Sequence, residues 1–340
     1  MWLQYLMPDA LISILKKLLN QPTAPFHEYH VRAAIEQILL DVPHVELSTD
    51  AFGNLIVTYR KGKRVSKPEW VLGAHMDHPA FVKSPGKNGD WEFIGGVPKA
   101  LTDAHSSLKR KAPSGEFASW NFDVNIEDGK VEAPACDDLV GCAIIVRVFM
   151  ELSRLGIDAT VHAAFTRAEE VGFLGAWHLG KHWPFSKDAV FLSVETSRPV
   201  NGAEMGDGPI VRVGDKLSIF DNQLTGMLMR TSLEQGIRVQ RCLLDAGACE
   251  ASALQACGIR SAGVSVPLGN YHNIGEDDNI SAEYVMLEDV IAMQKFLIAL
   301  VATEHDGLGE RTIEERVTLR MKEFKKHFEV GTAKFEELVS

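Results

Sequence analysis

Hydrophobic and polar positions alternate along the second half of the chain in a strand-and-helix order. Apolar runs rich in β-branched residues are "TVHAAFT", "AVFLSVE", "IRVQRCLL" and "RSAGVSV". Between and after them come segments with helical spacing: "CDDLVGCAIIVRVFMELSRLG", "GFLGAWHLGKHW", "NQLTGMLMRTSLEQG", "CEASALQACG" and "AEYVMLEDVIAMQKFLIALVATE". Upstream, "NLIVTYR" and "EWVLGAHMDH" are typical of two more strands. Strands separated by helices predict an α/β fold with a mixed sheet in a three-layer αβα arrangement. The near absence of polar positions in the strands agrees, because both faces of such a sheet are buried.

Three other segments depart from this alternation. Residues 8–20 have the spacing of an amphipathic helix that packs on the domain. Residues 81–134 are rich in Gly, Pro and turn dipeptides and lack a long helical period, which predicts a small β-rich insertion. The main domain would then comprise residues 1–80 and 135–340. The charged stretch from about residue 305, with spaced apolar residues, predicts a solvated amphipathic helix rather than a dedicated partner site.

Composition and charge narrow the possible partners. The formal net charge of −11 argues against binding to nucleic acid or to an anionic membrane, because both need a basic face. No apolar run reaches the length of about 18 residues that a membrane span requires. The N-terminus lacks the order of a signal peptide, since its lysines follow the apolar residues. The five cysteines form no C-x-x-C pair, which favours a reducing, cytoplasmic location.

Histidine and acidic residues follow the apolar runs, where open α/β sheets carry their ligand sites. They lie in "GAHMDH" (His75, Asp77), "ACDDLVG" (Asp137, Asp138), "AEEVG" (Glu169, Glu170), "SVETS" (Glu195) and "GNYHNIGEDDN" (His272). Imidazole and carboxylate ligands suit a pair of divalent zinc, cobalt or manganese ions. Asp137, just before a helix, would bridge the two cations. In the Glu-Glu pair, Glu170 would be a metal ligand and Glu169 the general base for the attacking water.

Each of these motifs has a simpler interpretation when it is taken alone. A single histidine in a strand is more often a hydrogen-bonded core residue, and Asp-Asp before a helix is more often an N-cap. Two adjacent glutamates are more often part of a solvated loop. All five motifs nevertheless occur together, in order and at comparable positions of the predicted sheet, which favours the metal site.

The order of these motifs resembles that of the co-catalytic metallopeptidases, and most closely the glutamyl and deblocking aminopeptidases that form tetrahedral dodecamers. The resemblance rests on stretches spread over most of the chain: "PTAPFHEYHVRAAI", "DAFGNLIV", "AHMD", "CDDLVGC", "AEEVGFLGA", "GDGPIV" and "DAGACEASALQACGI". It implies a zinc-peptidase-like fold and two divalent cations, with zinc as the expected metal and cobalt or manganese as alternatives. It also implies self-association through the insertion.

The resemblance further implies roles for single residues. His75 and Glu195 or His272 would be terminal ligands, Asp137 the bridge, Glu170 a ligand, Glu169 the base, and Asp77 the carboxylate that orients His75. The chain departs from the family pattern at Glu195, where Asp is usual, at Leu139, where Arg is usual, and in a shorter insertion.

The predicted function is hydrolysis of the N-terminal peptide bond of peptide substrates by a two-metal centre. A metal-dependent deacylase or carboxypeptidase remains an alternative, because the same ligands serve those reactions. A glycosidase with paired acids would not need His75 and His272. A non-catalytic relative of the fold would be expected to lack Glu169 or a ligand, and this chain keeps them.

Overall fold

The structure, a computed structural model, describes residues 8–63, 68–85, 89–276, 279–303 and 313–339. The helices are α1 (Pro8–Leu19), α2 (Tyr29–Leu39), α3 (Lys99–Ala104), α4 (Leu139–Leu155), α5 (Leu174–Lys181), α6 (Asn222–Gln235), α7 (Glu250–Ala256), α8 (Leu287–Ala302), α9 (Ile313–Glu323) and α10 (Lys325–Val339). The strands are β1 (Val45–Thr49), β2 (Leu55–Lys61), β3 (Trp70–His75), β4 (Ala80–Lys83), β5 (Trp91–Ile94), β6 (Lys109–Lys111), β7 (Phe117–Trp120), β8 (Asn125–Glu127), β9 (Lys130–Ala133), β10 (Ala159–Thr166), β11 (Val190–Ser197), β12 (Ile210–Asp215), β13 (Gln240–Leu244), β14 (Ser261–Gly269) and β15 (Glu283–Met286).

A large mixed sheet organises the chain. Within the described ranges it has eleven strands in the order β1-β2-β10-β3-β11-β14-β15-β9-β8, and β12 joins it by pairing with β14 and β13. The four central strands, β10, β3, β11 and β14, run parallel to one another. Antiparallel pairing of β2 with β10 and of β14 with β15 makes the sheet mixed. The carboxyl ends of the central strands therefore meet at one edge of the sheet, as expected for a ligand site.

Helices cover both faces of this sheet. On one face, α1, α2, α4, α6 and α8 enclose the larger apolar core, which includes Trp70, Leu72 and Ala74 of β3. On the other face, α5 and α7 pack over Val71 and Phe191. Alternate residues of one strand thus enter different cores, which is why the strands are apolar throughout. The predicted three-layer α/β fold is confirmed.

A separate small sheet has the order β5-β4-β7-β6. It lies within the segment that was predicted to be a β-rich insertion. Strands β8 and β9 belong to the same segment, but they extend the large sheet through pairing of β9 with β15. The small sheet therefore takes up the first part of residues 81–134, and the division into two domains stays a prediction.

The sequence pattern was wrong at the start of the last long helix. The stretch Glu283–Met286 forms strand β15, and the helix begins only at Leu287. Tyr284 and Val285 favour a strand, whereas Glu288 and Asp289 are acidic side chains suited to the first turn of a helix. Pairing of β15 with both β14 and β9 decides the outcome, which spacing along the chain does not reveal.

The two ends of the described chain behave differently. Helix α1 buries Leu11, Leu15 and Leu18 in the main core, as the amphipathic pattern predicts. The described side chains of α9 and α10 are exposed, in agreement with a solvated helical segment, whereas residues 304–312 of that prediction lie outside the described residues. In the part of the chain that the structure describes, every helix is too short or too polar to cross a membrane.

Candidate metal centre

The predicted site residues converge at the carboxyl edge of the central strands. His75 ends β3, Glu195 lies near the end of β11, Glu169 and Glu170 follow β10, His272 follows β14, and Asp137 precedes α4. Parallel pairing of these strands brings together residues that are up to 197 positions apart along the chain, as His75 and His272 are.

Asp137 lies between the two histidines. Its Oδ1 is 3.4 Å from Nε2 of His75, and its Oδ2 is 3.9 Å from Nε2 of His272. Glu195 approaches the same imidazole nitrogen of His75, with Oε2 at 3.8 Å. Each carboxylate oxygen of Asp137 thus faces a different imidazole, which is the arrangement a bridging ligand needs.

His272 and Glu170 lie on the other side of Asp137. Nε2 of His272 and Oε2 of Glu170 are 3.1 Å apart, but they are not aligned for a hydrogen bond, and Nε2 has no hydrogen-bond partner. Oε1 of Glu170 is also buried without a partner. Ligand atoms of Asp137, Glu170 and His272 all lie within 4.8 Å of one another. Unpartnered buried nitrogen and oxygen atoms are costly, and a divalent cation would satisfy them, so these residues fit a metal.

The question raised by two adjacent glutamates is answered by Asp77. Its buried carboxylate accepts hydrogen bonds from the backbone N–H of Glu169 at 2.9 Å and of Glu170 at 3.1 Å. The preceding Ala168 has a φ of +53°, a left-handed conformation that turns the chain sharply after β10. Glu170 then reaches His272, while Oε2 of Glu169 lies 4.0 Å from Nε2 of His75. The two carboxylates therefore point to different parts of the cluster.

The ring of His75 is oriented mainly by a backbone contact. Its Nδ1 lies 3.1 Å from the backbone oxygen of Asp77 and 3.6 Å from the Asp77 carboxylate. A proton on Nδ1 would be donated to that carbonyl, which leaves Nε2 free to face the carboxylates of the cluster.

Asp138 is a further acidic residue beside the centre. It is the N-cap of α4, with Oδ1 accepting a hydrogen bond from the backbone N–H of Gly141 at 3.1 Å, as its position before a helix predicts. Its other oxygen, Oδ2, is buried without a partner, and the side chain lies within 4.8 Å of ligand atoms of His75 and Glu195. The peptide bond between Asp137 and Asp138 is cis.

Burial of so many acids in one place changes their proton affinities. Loss of water raises the pKa of Glu169 well above its usual value, and the neighbouring carboxylates of Glu170 and Glu195 add to the rise. Burial likewise raises the pKa of Glu195 to about 7. Burial alone would lower the pKa of His272, but Glu170 and Asp137 outweigh it and raise that pKa to about 9. The cluster holds an excess of negative charge that divalent cations would balance.

Glu283 supports the centre and was missed by sequence reasoning. Its Oε2 accepts hydrogen bonds from the backbone N–H groups of Cys136 at 2.8 Å and Asp137 at 3.0 Å. Its Oε1 accepts one from the backbone N–H of His272 at 2.7 Å. This one buried carboxylate therefore ties together the backbones of two candidate ligands. An acidic residue in an otherwise apolar strand would have been the signal, but the stretch was interpreted as the start of a helix.

His78 is fixed on the same side of the site. Its Nδ1 lies 2.6 Å from the backbone oxygen of Asp137, and its Nε2 lies 3.0 Å from Oδ1 of Asn273. Because both ring nitrogens are engaged, His78 supports the backbone of Asp137 rather than offering a further ligand atom.

The cluster opens into a cavity of about 190 Å³. Besides the acidic residues and His75, its lining includes Thr196, Arg198, Arg212, Tyr271 and Ile274. The ring of Tyr271 stacks on His272, with centroids 3.8 Å apart. The cavity thus has an acidic end at the metal centre and basic side chains elsewhere in its wall, which suits a small polar substrate.

Comparison with known proteins agrees with this geometry. Residues 101–295, more than half of the chain, match the family described as M42 glutamyl aminopeptidase. A protein of Acetivibrio thermocellus that is provisionally named an aminopeptidase is 28% identical over 326 residues, covering 80% of this chain and 95% of that protein.

Solved structures share the fold. The TET1 peptidase of Pyrococcus horikoshii, whose title describes assembly into a tetrahedron or a large octahedral shell, superposes with a TM-score of 0.70 at 20% identity, covering 86% of this chain and 99% of that one. An aminopeptidase of Desulfurococcus kamchatkensis gives a TM-score of 0.71 at 18% identity, covering 90% and 99%. At these identities the likeness shows the fold, while the family match over residues 101–295 confirms the predicted resemblance. The chain belongs to the M42 glutamyl aminopeptidase family and is a metal-dependent aminopeptidase.

Proposed function

We propose that the centre holds two divalent cations, with zinc as the expected metal, and that Asp137 bridges them. His75 and Glu195 would complete one site, and Glu170 and His272 the other. The observation that carries this proposal is the position of Asp137, whose two oxygens face different imidazoles at 3.4 and 3.9 Å. When bound, such cations polarise the scissile carbonyl and make water a stronger acid.

The side chains of the chain would perform the remaining steps. Glu169 is buried beside His75 and is not tied up in the contacts that Glu170 makes, so it takes a proton from the attacking water. It then returns that proton to the leaving amine. Asp77 keeps Glu169 in place through the backbone hydrogen bond at 2.9 Å. The acidic end of the cavity would attract the positively charged amino terminus of a peptide.

Removal of the metal should abolish hydrolysis. Dialysis against a chelator is expected to end release of the N-terminal residue from peptides, and added Zn, Co or Mn should restore it. Elemental analysis of the reloaded protein should approach two ions per chain. Fewer than one ion per chain at saturating metal would contradict the proposed centre.

A panel of peptides with free and blocked amino termini would test the aminopeptidase reaction itself. We expect cleavage to need a free amino terminus, since the carboxylates of the site would bind it. Cleavage of acylated substrates, or release of C-terminal residues, would instead indicate a deacylase or a carboxypeptidase. Metal content is measured on the same samples, so a loss of metal is not mistaken for a difference in specificity.

We propose a cytoplasmic location on the basis of the cysteines. Cys136, Cys142, Cys242, Cys249 and Cys257 are all unpaired. Thiols in this number persist without disulfides in a reducing compartment.

We also propose that the chain forms a homo-oligomer through its insertion. The small sheet has edge strands β5 and β6, each paired on one side within the described residues. Leu108, just before β6, is an apolar side chain that is 38% exposed. Unpaired edges and exposed apolar side chains are features that contacts between copies can use.

Sedimentation or light scattering should show a species larger than a monomer at micromolar protein. Leu108→Glu should shift the mass towards the monomer, because the charge would be buried in the contact. Leu233→Glu is the matched control, since this side chain is 82% exposed on α6, away from the insertion. A strict monomer, or a mass that only Leu233→Glu changes, would contradict this proposal.

A further inference from the structure

Arg212 is a buried cation without an anionic partner. It lies on β12 in the wall of the cavity and is 3% exposed. Among the described residues, no carboxylate oxygen lies within 4.0 Å of its guanidinium nitrogens, and its Nε has no hydrogen-bond partner. Its Nη1 makes two long contacts, 3.3 Å to Oγ of Ser197 and 3.4 Å to Oγ of Ser265. Arginine is rarely buried in this way unless it is paired.

The other buried or half-buried arginines of the core regions are paired. Arg147 forms an ion pair with Glu151, and Arg167 donates from Nε to Glu28 at 2.8 Å. An unpaired charge in the interior is unfavourable by several kcal/mol relative to water, typically about 3–5 kcal/mol when a partner is removed. A chain that keeps such a residue in a cavity wall has reason to do so if a ligand supplies the missing anion.

The acidic residues nearest to Arg212 are already engaged. Both oxygens of Asp215 accept hydrogen bonds within its own turn and from α7, including one from the backbone N–H of Cys249 at 3.0 Å. Oε1 of Glu195 accepts a hydrogen bond from Ser193 at 2.7 Å, and its Oε2 faces His75. The guanidinium therefore keeps donors that these carboxylates do not use.

The strands hold Arg212 close to the metal centre. In the register of the sheet, Arg212 is opposite Gly263 of β14, and Ser265 of the same strand is opposite Glu195. The missing side chain at Gly263 makes room, because a Cβ there would lie 3.1 Å from Cδ of Arg212. On its other side the guanidinium carbon lies 6.0 Å from the ring centroid of Phe220. A rigid donor group is thus placed next to the side chains that would bind the reacting end of the substrate.

We propose that Arg212, with the hydroxyl groups of Ser197 and Ser265, binds a carboxylate of the substrate, and that its source is the acidic side chain of an N-terminal Glu or Asp. The inference rests on the proposed function of the cavity. A guanidinium and two hydroxyl groups match the oxygen atoms of a carboxylate. The size of the cavity, about 190 Å³, suits one residue beside the centre. The α-carboxylate of a dipeptide has the same chemistry and is the other source to test.

The side-chain source is tested with p-nitroanilides of Glu, Gln and Ala, which carry no terminal carboxylate. The native enzyme should prefer Glu over Gln in kcat/KM. Arg212→Gln should lower that preference by about 10- to 100-fold, the cost of losing a hydrogen bond to a charged group, while hydrolysis of the Ala substrate changes little. Arg241→Gln is the matched control, because Arg241 is exposed on β13 opposite Val211, the neighbour of Arg212. An unchanged Glu-to-Gln ratio in Arg212→Gln would contradict the side-chain source.

The α-carboxylate source is tested with Ala-Ala and Ala-Ala amide. A preference for the free acid that disappears in Arg212→Gln would assign the carboxylate to the end of a dipeptide. Circular dichroism checks the fold of the variant. If Arg212→Gln does not fold, Arg212→Lys keeps the charge but loses the planar fork, and it should show a smaller loss of the same ratio.

A binding measurement separates this inference from the proposed function. Calorimetry with free glutamate and glutamine should show tighter binding of glutamate to the native protein, and Arg212→Gln should remove the difference. If the native protein cleaves none of the substrates but keeps this binding difference, the proposed function fails and the carboxylate site stands. If Arg212→Gln changes neither substrate ratio nor the binding difference, the carboxylate site is wrong even when the enzyme is active.

Discussion

Glu169→Gln should lower kcat by about 10²- to 10⁴-fold, the usual effect of losing a general base, while the metal content of the protein stays unchanged. The amide has nearly the same size and can keep the position of the side chain, but it cannot accept the proton. The backbone N–H of Glu169 still donates to Asp77, so the turn after β10 should be preserved. KM should change little, because the residue acts on the proton rather than on ligand binding.

Glu170→Gln is the matched comparison, because it makes the same chemical change one residue further on. Glu170 lies 3.1 Å from His272 and has one unpartnered oxygen, so its loss of charge should weaken one metal first. Added metal should then recover part of the activity. Both variants are assayed for kcat and for metal content over a range of metal concentrations. The reverse pattern, metal lost with Glu169→Gln and kept with Glu170→Gln, would exchange the two roles.

The fold and the residues of the centre could be predicted because their signals are local. Apolar strands followed by His75, by Glu169 and Glu170, or by His272 can be found in short stretches of sequence. Parallel strands then bring their ends together, so positions along the chain translate into positions in space. The roles of the individual residues stay predictions, since proximity alone does not distinguish a ligand from a base.

Interactions between distant segments could not be predicted in this way. Glu283 is 146 residues from Asp137, and nothing in the spacing of either residue shows that a backbone N–H will meet a carboxylate. The acceptance of two backbone hydrogen bonds by Asp77 is hidden for the same reason, because a histidine partner was the simpler expectation. Arg212 was overlooked because one charged residue in a strand usually marks a solvent-facing position. Only the pairing of β12 with β14 shows that it is buried.

Glu283→Gln should weaken metal binding by about 10- to 100-fold, although Glu283 itself lies behind the ligands and not among them. Its two oxygens accept three backbone hydrogen bonds, which hold Cys136, Asp137 and His272 in place. Glutamine keeps one oxygen, and its NH₂ group would face N–H donors on the other side. One or two buried donors would then lose their acceptor, at a cost of about 1–3 kcal/mol each.

The consequence should reach both proposed metal sites, because Asp137 would bridge them and His272 would bind in one of them. Metal titration of the variant should therefore show weaker binding, with activity restored in part by excess metal and with lower thermal stability. Glu132→Gln on the adjacent strand β9 is the matched control, since that side chain is 34% exposed and pairs with Lys130 at 2.7 Å. If Glu283→Gln lowers stability but binds metal as tightly as the control does, the carboxylate serves the fold alone. If metal affinity falls in Glu283→Gln and not in Glu132→Gln, the hydrogen bonds of Glu283 position the two ligands.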